Sequence, residues 1–222
     1  IVAGAARYVP NANFHGSDSF DYVVSDGNGG TDTGTVTVTV TAVNDAPTID
    51  SDDAANFAEG QVIATTVIDV TATDVDVPAQ NLTYSLVAGA GSADNALFAI
   101  NAGTGVVTFL ASPDYETPGD ADTDNDYQIR VRATDDGAGT LSVDQPITIT
   151  VTDANDAPTI GSGATANFAE NQVIATTAID VDATDTDVPP QSLTYSLVAG
   201  TGSDDNALFA INAGTGVVTF LA

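Results

Sequence analysis

Residues 44–111 return at residues 155–222 without a gap, 111 positions later, with 12 differences in 68 positions. NFAEGQVIATTVIDV comes back as NFAENQVIATTAIDV, and LTYSLVAG and NALFAINAGTGVVTFLA come back unchanged. A period of 111 suits a sandwich domain of about 100 residues better than a solenoid turn of about 20 to 50. The period divides the chain into residues 1–43, 44–154 and 155–222. The last segment stops where the middle one continues with SPDYE and two more strand patterns, and residues 1–43 hold only the last strands of a preceding unit. Segments one and two end alike, on an alternating strand and then Asn-Asp-Ala-Pro, at 44–47 and 155–158.

Within the complete unit, alternation and turn residues predict seven strands, at about 56–66, 67–73, 82–88, 96–100, 105–110, 126–134 and 141–152. Two more are expected in the first segment, at about 19–25 and 34–42. Ala102–Gly105 reads as a hairpin turn between Phe98-Ala-Ile100 and Val106-Val-Thr-Phe109. Asp, Gly, Thr and Val dominate, while Lys is absent and Glu occurs three times. Asp bonds its neighbouring backbone in turns, whereas Glu and Lys favour helices. The expected fold class is all-β: tandem immunoglobulin-like seven-stranded β-sandwiches, the first and last truncated. The third segment lacks counterparts of 126–134 and 141–152, so an apolar face and an unpaired edge are expected there.

The charge narrows the partners. The chain carries 31 acidic residues against three arginines, a formal net charge of -28. Nucleic acid and anionic lipid require a basic face, so both are excluded. No Cys and a single His leave nothing for a thiolate zinc site, a disulfide scaffold or a Ser-His-Asp triad. No run of 18 apolar residues is present, so no membrane insertion is expected of this fragment. A metal cation is the simplest remaining partner.

The acids are not scattered as a merely solvated surface would have them. Glu59 and Glu170 occupy the same position in two repeats, and Glu116 lies in Asp114-Tyr115-Glu116. Asp74-Val-Asp76 recurs as Asp185-Thr-Asp187, and Asp153-Ala-Asn155-Asp156 frames a joint. Alternating carboxylates on an extended segment can converge on one hard cation, and Ca²⁺ takes six to eight oxygens. Paired carboxylates can also cleave glycosides, but these recur with the repeat and flank its joints.

These residues resemble the cadherin repeat in its bacterial form. The pattern is a Glu near the domain start (Glu59), an Asp-x-Asp (Asp74, Asp76), an Asp-x-Glu (Asp114, Glu116), an Ala-x-Asp (Asp135) and an Asp-x-Asn-Asp-x-x-Pro linker (Asp153 to Pro158). Residues 8–47 resemble a neighbouring cadherin-like type found in giant bacterial surface proteins. The resemblance implies Ca²⁺ between successive domains of an extracellular, cell-surface adhesin, rigidifying a stalk. It implies that the second joint uses Glu59, Asp114, Glu116, Asn155, Asp156, Asp185 and Asp187, with the carbonyls of Ala154 and Ala157. The first joint would use Asn44, Asp45, Asp74, Asp76 and Asp135. Segment one has no Glu, so Asn13 or Asp18 would have to substitute, and fewer or weaker ions are expected there. Partners implied are calcium, neighbouring repeats of the chain, and other cell-surface proteins or glycans.

Two competitors carry different expectations. An accessory carbohydrate-binding module of a secreted polysaccharide-degrading enzyme needs exposed aromatics for stacking, and the chain has no Trp. An enzyme in its own right needs catalytic groups that this composition does not supply. Three further motifs are weak. Asp120-x-Asp122-x-Asp124-Asn125-Asp126 opens like an EF-hand loop, but position six is Asn125 and position twelve is Val131; a solvated acidic loop is the default reading and a local ion the alternative. Asp26-Gly-Asn-Gly-Gly30 reads as a tight hairpin. Asn81-Leu-Thr83 is a sequon that the second copy loses to Ser192.

Overall fold

The computed structural model describes residues 7–163 and 165–221, and its regular structure is nearly all strand. The strands are β1 (Gly16–Ser25), β2 (Thr31–Val40), β3 (Thr48–Ile49), β4 (Ala54–Ala58), β5 (Ile68–Asp69), β6 (Ala72–Thr73), β7 (Thr83–Leu86), β8 (Phe98–Ile100), β9 (Val106–Phe109), β10 (Asp126–Thr134) and β11 (Ser142–Thr152). The last segment supplies β12 (Thr159–Ile160), β13 (Thr177–Asp180), β14 (Ala183–Thr184), β15 (Phe209–Ile211) and β16 (Val217–Phe220). Single 3₁₀ turns at Asn95–Leu97 and Asn206–Leu208 complete the list.

Two compact units emerge. The first gathers the described residues up to Asn56, Val62–Ala111 and Asp126–Thr150; the second gathers Phe57–Gln61, Ser112–Asn125 and the described residues from Val151 onward.

In the first unit, β1 and β2 form an antiparallel hairpin with Gly16 opposite Val40 and Ser25 opposite Thr31. Phe20 and Tyr22 on it remain exposed. The sandwich core lies between a sheet ordered β4-β11-β10-β7 and a sheet ordered β5-β9-β8. Alternation supplies it directly: Tyr127, Ile129, Val131 and Ala133 on β10 are buried, as are Ile147 and Ile149 on β11. Phe109 on β9 stacks on Phe98 with ring centroids 4.3 Å apart. It also meets Tyr127 on β10 edge-on at 5.3 Å, an aromatic contact from one sheet to the other.

Two expected strands are shorter than their patterns. The run 56–66 ends as strand at Ala58, because Gly60 takes φ +69 and turns the chain. The run 67–73 breaks into β5 and β6, which join different sheets: β5 pairs with β9 and β6 with β3. Val70, fully buried between them, donates its N–H to Gly105 at 3.2 Å. The hairpin at 102–105 is as expected, closed by Asn101 N–H to Val106 and Gly105 N–H to Asn101.

In the second unit, β13-β16-β15 form one sheet and β12-β14 another. Phe220 packs on Phe209 at 4.7 Å and on Phe168 at 4.5 Å. Residues 194–197 repeat the sequence of β7 yet form no strand. In the complete repeat β7 pairs with β10, and residues 155–222 contain no counterpart of β10.

Gly105 tests this packing. It sits at φ +77, and a Cβ there would lie 2.0 Å from the Val70 carbonyl oxygen. Gly139, at φ +92, has nothing within 4 Å of such a Cβ. Gly105→Ala should lower stability by about 2–4 kcal/mol, from conformational strain plus overpacking. Gly139→Ala should cost only about 1–2 kcal/mol from strain alone. Urea unfolding of the two variants should separate them in that order, and equal costs would show the close approach to be absent.

Candidate metal centre

Three groups of acidic side chains converge among the described residues: Glu59, Asp114 and Glu116; Glu116, Asp153 and Asp187; and Asp120, Asp122 and Asp124. In each, one carboxylate oxygen per residue lies within 4.8 Å of the others. All of these residues belong to the second compact unit.

The first two groups share Glu116, and their members differ in how the backbone serves them. Glu59, 4% exposed, follows β4 at the turn that Gly60 makes. Its Oε1 accepts the Ala154 N–H at 2.9 Å and its Oε2 accepts the Tyr115 N–H at 2.5 Å. One buried carboxylate thereby ties the Asp114–Glu116 segment to the linker. Asp114 Oδ1 accepts the Thr117 N–H at 2.9 Å. The Thr117 hydroxyl, more than that N–H, holds the Asp114 carboxyl below the ordinary carboxylate range. Asp187, 3% exposed, accepts the Asp156 N–H at 2.9 Å on Oδ1 and the Gln191 amide on Oδ2.

Glu116 has no such support. Both of its carboxylate oxygens are buried and neither makes a hydrogen bond. Burial raises its carboxyl pKa, and the nearby charges of Glu59, Asp153 and Asp114 add to the rise. Asp153 is raised too, by burial first and then by Asp187, Glu59 and Asp156. A carboxylate such as that of Glu116, its oxygens buried without donors beside other acids, is held only at a cost unless a positive charge joins it. Oxygens bound to one Ca²⁺ at about 2.3–2.6 Å lie within about 5 Å of each other, so the spacing and the oxygen-only donor set fit that ion.

The expected second-joint residues divide. Glu59, Asp114, Glu116 and Asp187 fall in the converging groups. Asn155, Asp156 and Asp185 lie at their margin: Asn155 Oδ1 accepts the Gln191 amide at 2.8 Å, Asp185 Oδ1 accepts the Asp187 N–H at 3.2 Å, and Asp156 serves Asp187 through its backbone. Ala154 reaches Glu59 by its N–H, and Ala157 is exposed. Asp153 is an addition to the expected set, and its signal was the spacing Asp153-x-Asn155-Asp156.

The first-joint residues form a parallel network in the first unit. Asn44 Nδ2 donates to Asp135 at 3.0 Å, the Asp45 N–H to Asp76 at 2.9 Å, and the Asp76 N–H to Asp74 at 2.8 Å. Asp135, 4% exposed, also accepts the N–H groups of Gly137 and Leu141. Asp74 Oδ2 is buried without a partner. No converging acidic group among the described residues contains these five. Asn13 lines a cleft of about 260 Å³ with Asp45 and Asp76, whereas Asp18 accepts the Tyr8 hydroxyl at 3.1 Å. Gln80 and Gln191 are functional candidates that the acidic pattern does not reveal. Gln80 Nε2 bridges Asn44 and Asp76 just as Gln191 Nε2 bridges Asn155 and Asp187. The recurring Asp-x-x-x-Gln spacing is the signal for both.

The chain is similar in sequence and fold to known proteins. Residues 53–152 match the family model "Cadherin domain", and residues 1–39 match "Bacterial Ig domain". The chain is 32% identical over 187 residues to human Protocadherin Fat 1, covering 80% of this chain and 4% of that protein. It is 34% identical over 205 residues to the Drosophila melanogaster Protocadherin-like wing polarity protein stan, covering 88% of this chain and 6% of that protein. The crystal structure of mouse Cadherin-23 EC22-24 superposes with a TM-score of 0.54 at 27% identity, over 96% of this chain and 66% of that one. The chain thus spans a small part of the full-length relatives it matches.

The raised Glu116 carboxyl makes a pH prediction for metal-free protein. The folded chain keeps Glu116 protonated to higher pH than the unfolded chain does. Its contribution to stability is therefore fully present below the unfolded carboxyl range and is lost as pH rises through the folded value. In chelator at neutral pH, Glu116→Gln should melt above the parent chain, and at about pH 4 the difference should close. A variant less stable at neutral pH in chelator would show that the carboxylate is already compensated.

Proposed function

The chain belongs to the cadherin family through residues 53–152, and we propose from that premise that it is a calcium-rigidified segment of an extracellular adhesion protein. The observation that carries this reading is Glu116, whose buried oxygens make no hydrogen bond and stand in two converging acidic groups at once. The segments are residues 1–43, 44–154 and 155–222, the first two ending at the Asn-Asp-Ala-Pro linkers.

Ca²⁺ supplies, when bound, the positive charge that these carboxylates lack. Glu59, Asp114, Glu116, Asp153 and Asp187 hold it at the second linker, with Asn155, Asp156, Asp185 and the carbonyls of Ala154 and Ala157 completing the oxygen set. Asn44, Asp45, Asp74, Asp76 and Asp135 form the corresponding set at the first. Two of the chain's three arginines are engaged elsewhere: Arg130 and Arg132 both bond to Asp144, at 3.2 and 2.6 Å. Glu59 positions the site, since it ties the Asp114–Glu116 segment to the linker. With the repulsion removed, the linker holds one geometry and the stalk resists bending. Extracellular modules bind Ca²⁺ at about 10⁻⁴ to 10⁻³ M, which extracellular fluid supplies and cytosol does not. Neighbouring repeats of the same protein are the immediate partners, with other cell-surface proteins or glycans beyond them.

Thermal melts in millimolar Ca²⁺ should lie several degrees above those in chelator, and Mg²⁺ should substitute poorly because it demands a tight octahedron and keeps its waters. Calorimetric titration should show Asp156→Ala lowering the calcium stoichiometry. Asp52→Ala should leave it unchanged, since position 52 becomes Gly163 in the next copy. The reverse order, or melts indifferent to calcium, would overturn the reading.

A further inference from the structure

The third converging group lies apart in sequence from every linker motif. Asp120, Asp122 and Asp124 occupy the loop between β9 and β10. Asp122 and Asp124 are exposed, but Asp120 is only 5% exposed. Its Oδ2 accepts the Asp124 N–H at 3.0 Å, which curls the loop around the carboxylate. Its Oδ1 is buried and has no partner. The next residue after the trio, Asn125, repeats this: Nδ2 donates to the Tyr115 carbonyl at 3.0 Å, while Oδ1 is buried and unpartnered.

A merely solvated acidic loop explains the exposed pair and not the buried member. Solvated carboxylates turn outward and spread apart. Here one is withdrawn from water with an idle oxygen, and the other two stay within 4.8 Å of it. We propose that the 120–125 loop is a calcium site of its own, with Asp120 as the buried ligand and Asp122 and Asp124 closing over the ion from the solvent side. It is not an EF-hand, since Val131 stands where that loop needs a bidentate Glu. Its oxygens come from one short stretch, so it orders the loop rather than a linker. The site stands independently of the linker sites, because none of its ligands is shared with them.

The test is calcium stoichiometry of the full 222-residue chain, by equilibrium dialysis, for the parent, for Asp122→Asn with Asp124→Asn, and for Glu116→Gln. The paired variant alters exposed side chains only and should fold as the parent does, which circular dichroism checks. It should bind one Ca²⁺ fewer per chain. Glu116→Gln should keep that ion while losing calcium at the linker. Parent and paired variant binding equal numbers of ions would overturn the loop site, whatever Glu116→Gln does. A loss in the paired variant with none in Glu116→Gln would leave the loop site standing and remove the linker reading instead.

Discussion

Uncompensated carboxylate charge is the constraint on which the rest of this structure turns. The chain has 31 acids and three arginines, and two of those arginines meet on Asp144. The buried acids Glu59, Asp135 and Asp187 accept hydrogen bonds from neutral donors. Backbone N–H groups serve several of them well. Asp135 accepts from Gly137 and Leu141, Glu59 from Ala154 and Tyr115. Hydrogen bonds of this kind fix loop geometry. Glu116, Asp74 and Asp120 each keep at least one buried oxygen that no donor reaches. Those three are the side chains on which the proposed calcium sites rest.

The sandwich makes those positions reproducible. Phe98, Phe109 and Tyr127 join strands of both sheets, and the segment that carries Asp114, Glu116 and the Asp120 trio runs between the strands that bear Phe109 and Tyr127. A rigid core with acids on its connections is a sound arrangement for a structural metal, since ligand positions are held by packing rather than by the ion. It also explains why the repeat can vary where it does. Positions 50 and 52 change from Asp to Gly in the next copy while Glu59, Asp74 and Asp76 are retained as Glu170, Asp185 and Asp187.

Much of this was legible before any coordinates. The repeat, the alternation on 126–134 and 141–152, the 102–105 hairpin and the acid spacing all follow from local pattern. Three things did not. Residues 194–197 and β7 are the same sequence, yet only β7 is a strand, because pairing depends on a partner far along the chain. The run 56–66 reads as one strand because apolar residues continue past Gly60, and only the backbone turn shows where it stops. Gln80 and Gln191 carry no charge and so escape a search for ligands, although their amides hold the aspartates in place. Asp120 differs from Asp122 and Asp124 by burial alone, which spacing cannot express.

The chain's three glutamates offer the most direct test of the central claim. With ¹³C at the glutamate carboxyl carbons, Glu59, Glu116 and Glu170 give three separate NMR signals. Glu59 and Glu116 stand in a converging group, whereas Glu170 is exposed and outside every such group among the described residues. Titrating Ca²⁺ should shift the Glu116 and Glu59 signals to saturation and leave Glu170 in place. Movement of all three together, or a Glu116 signal indifferent to calcium, would contradict the claim that its bare carboxylate is a cation ligand.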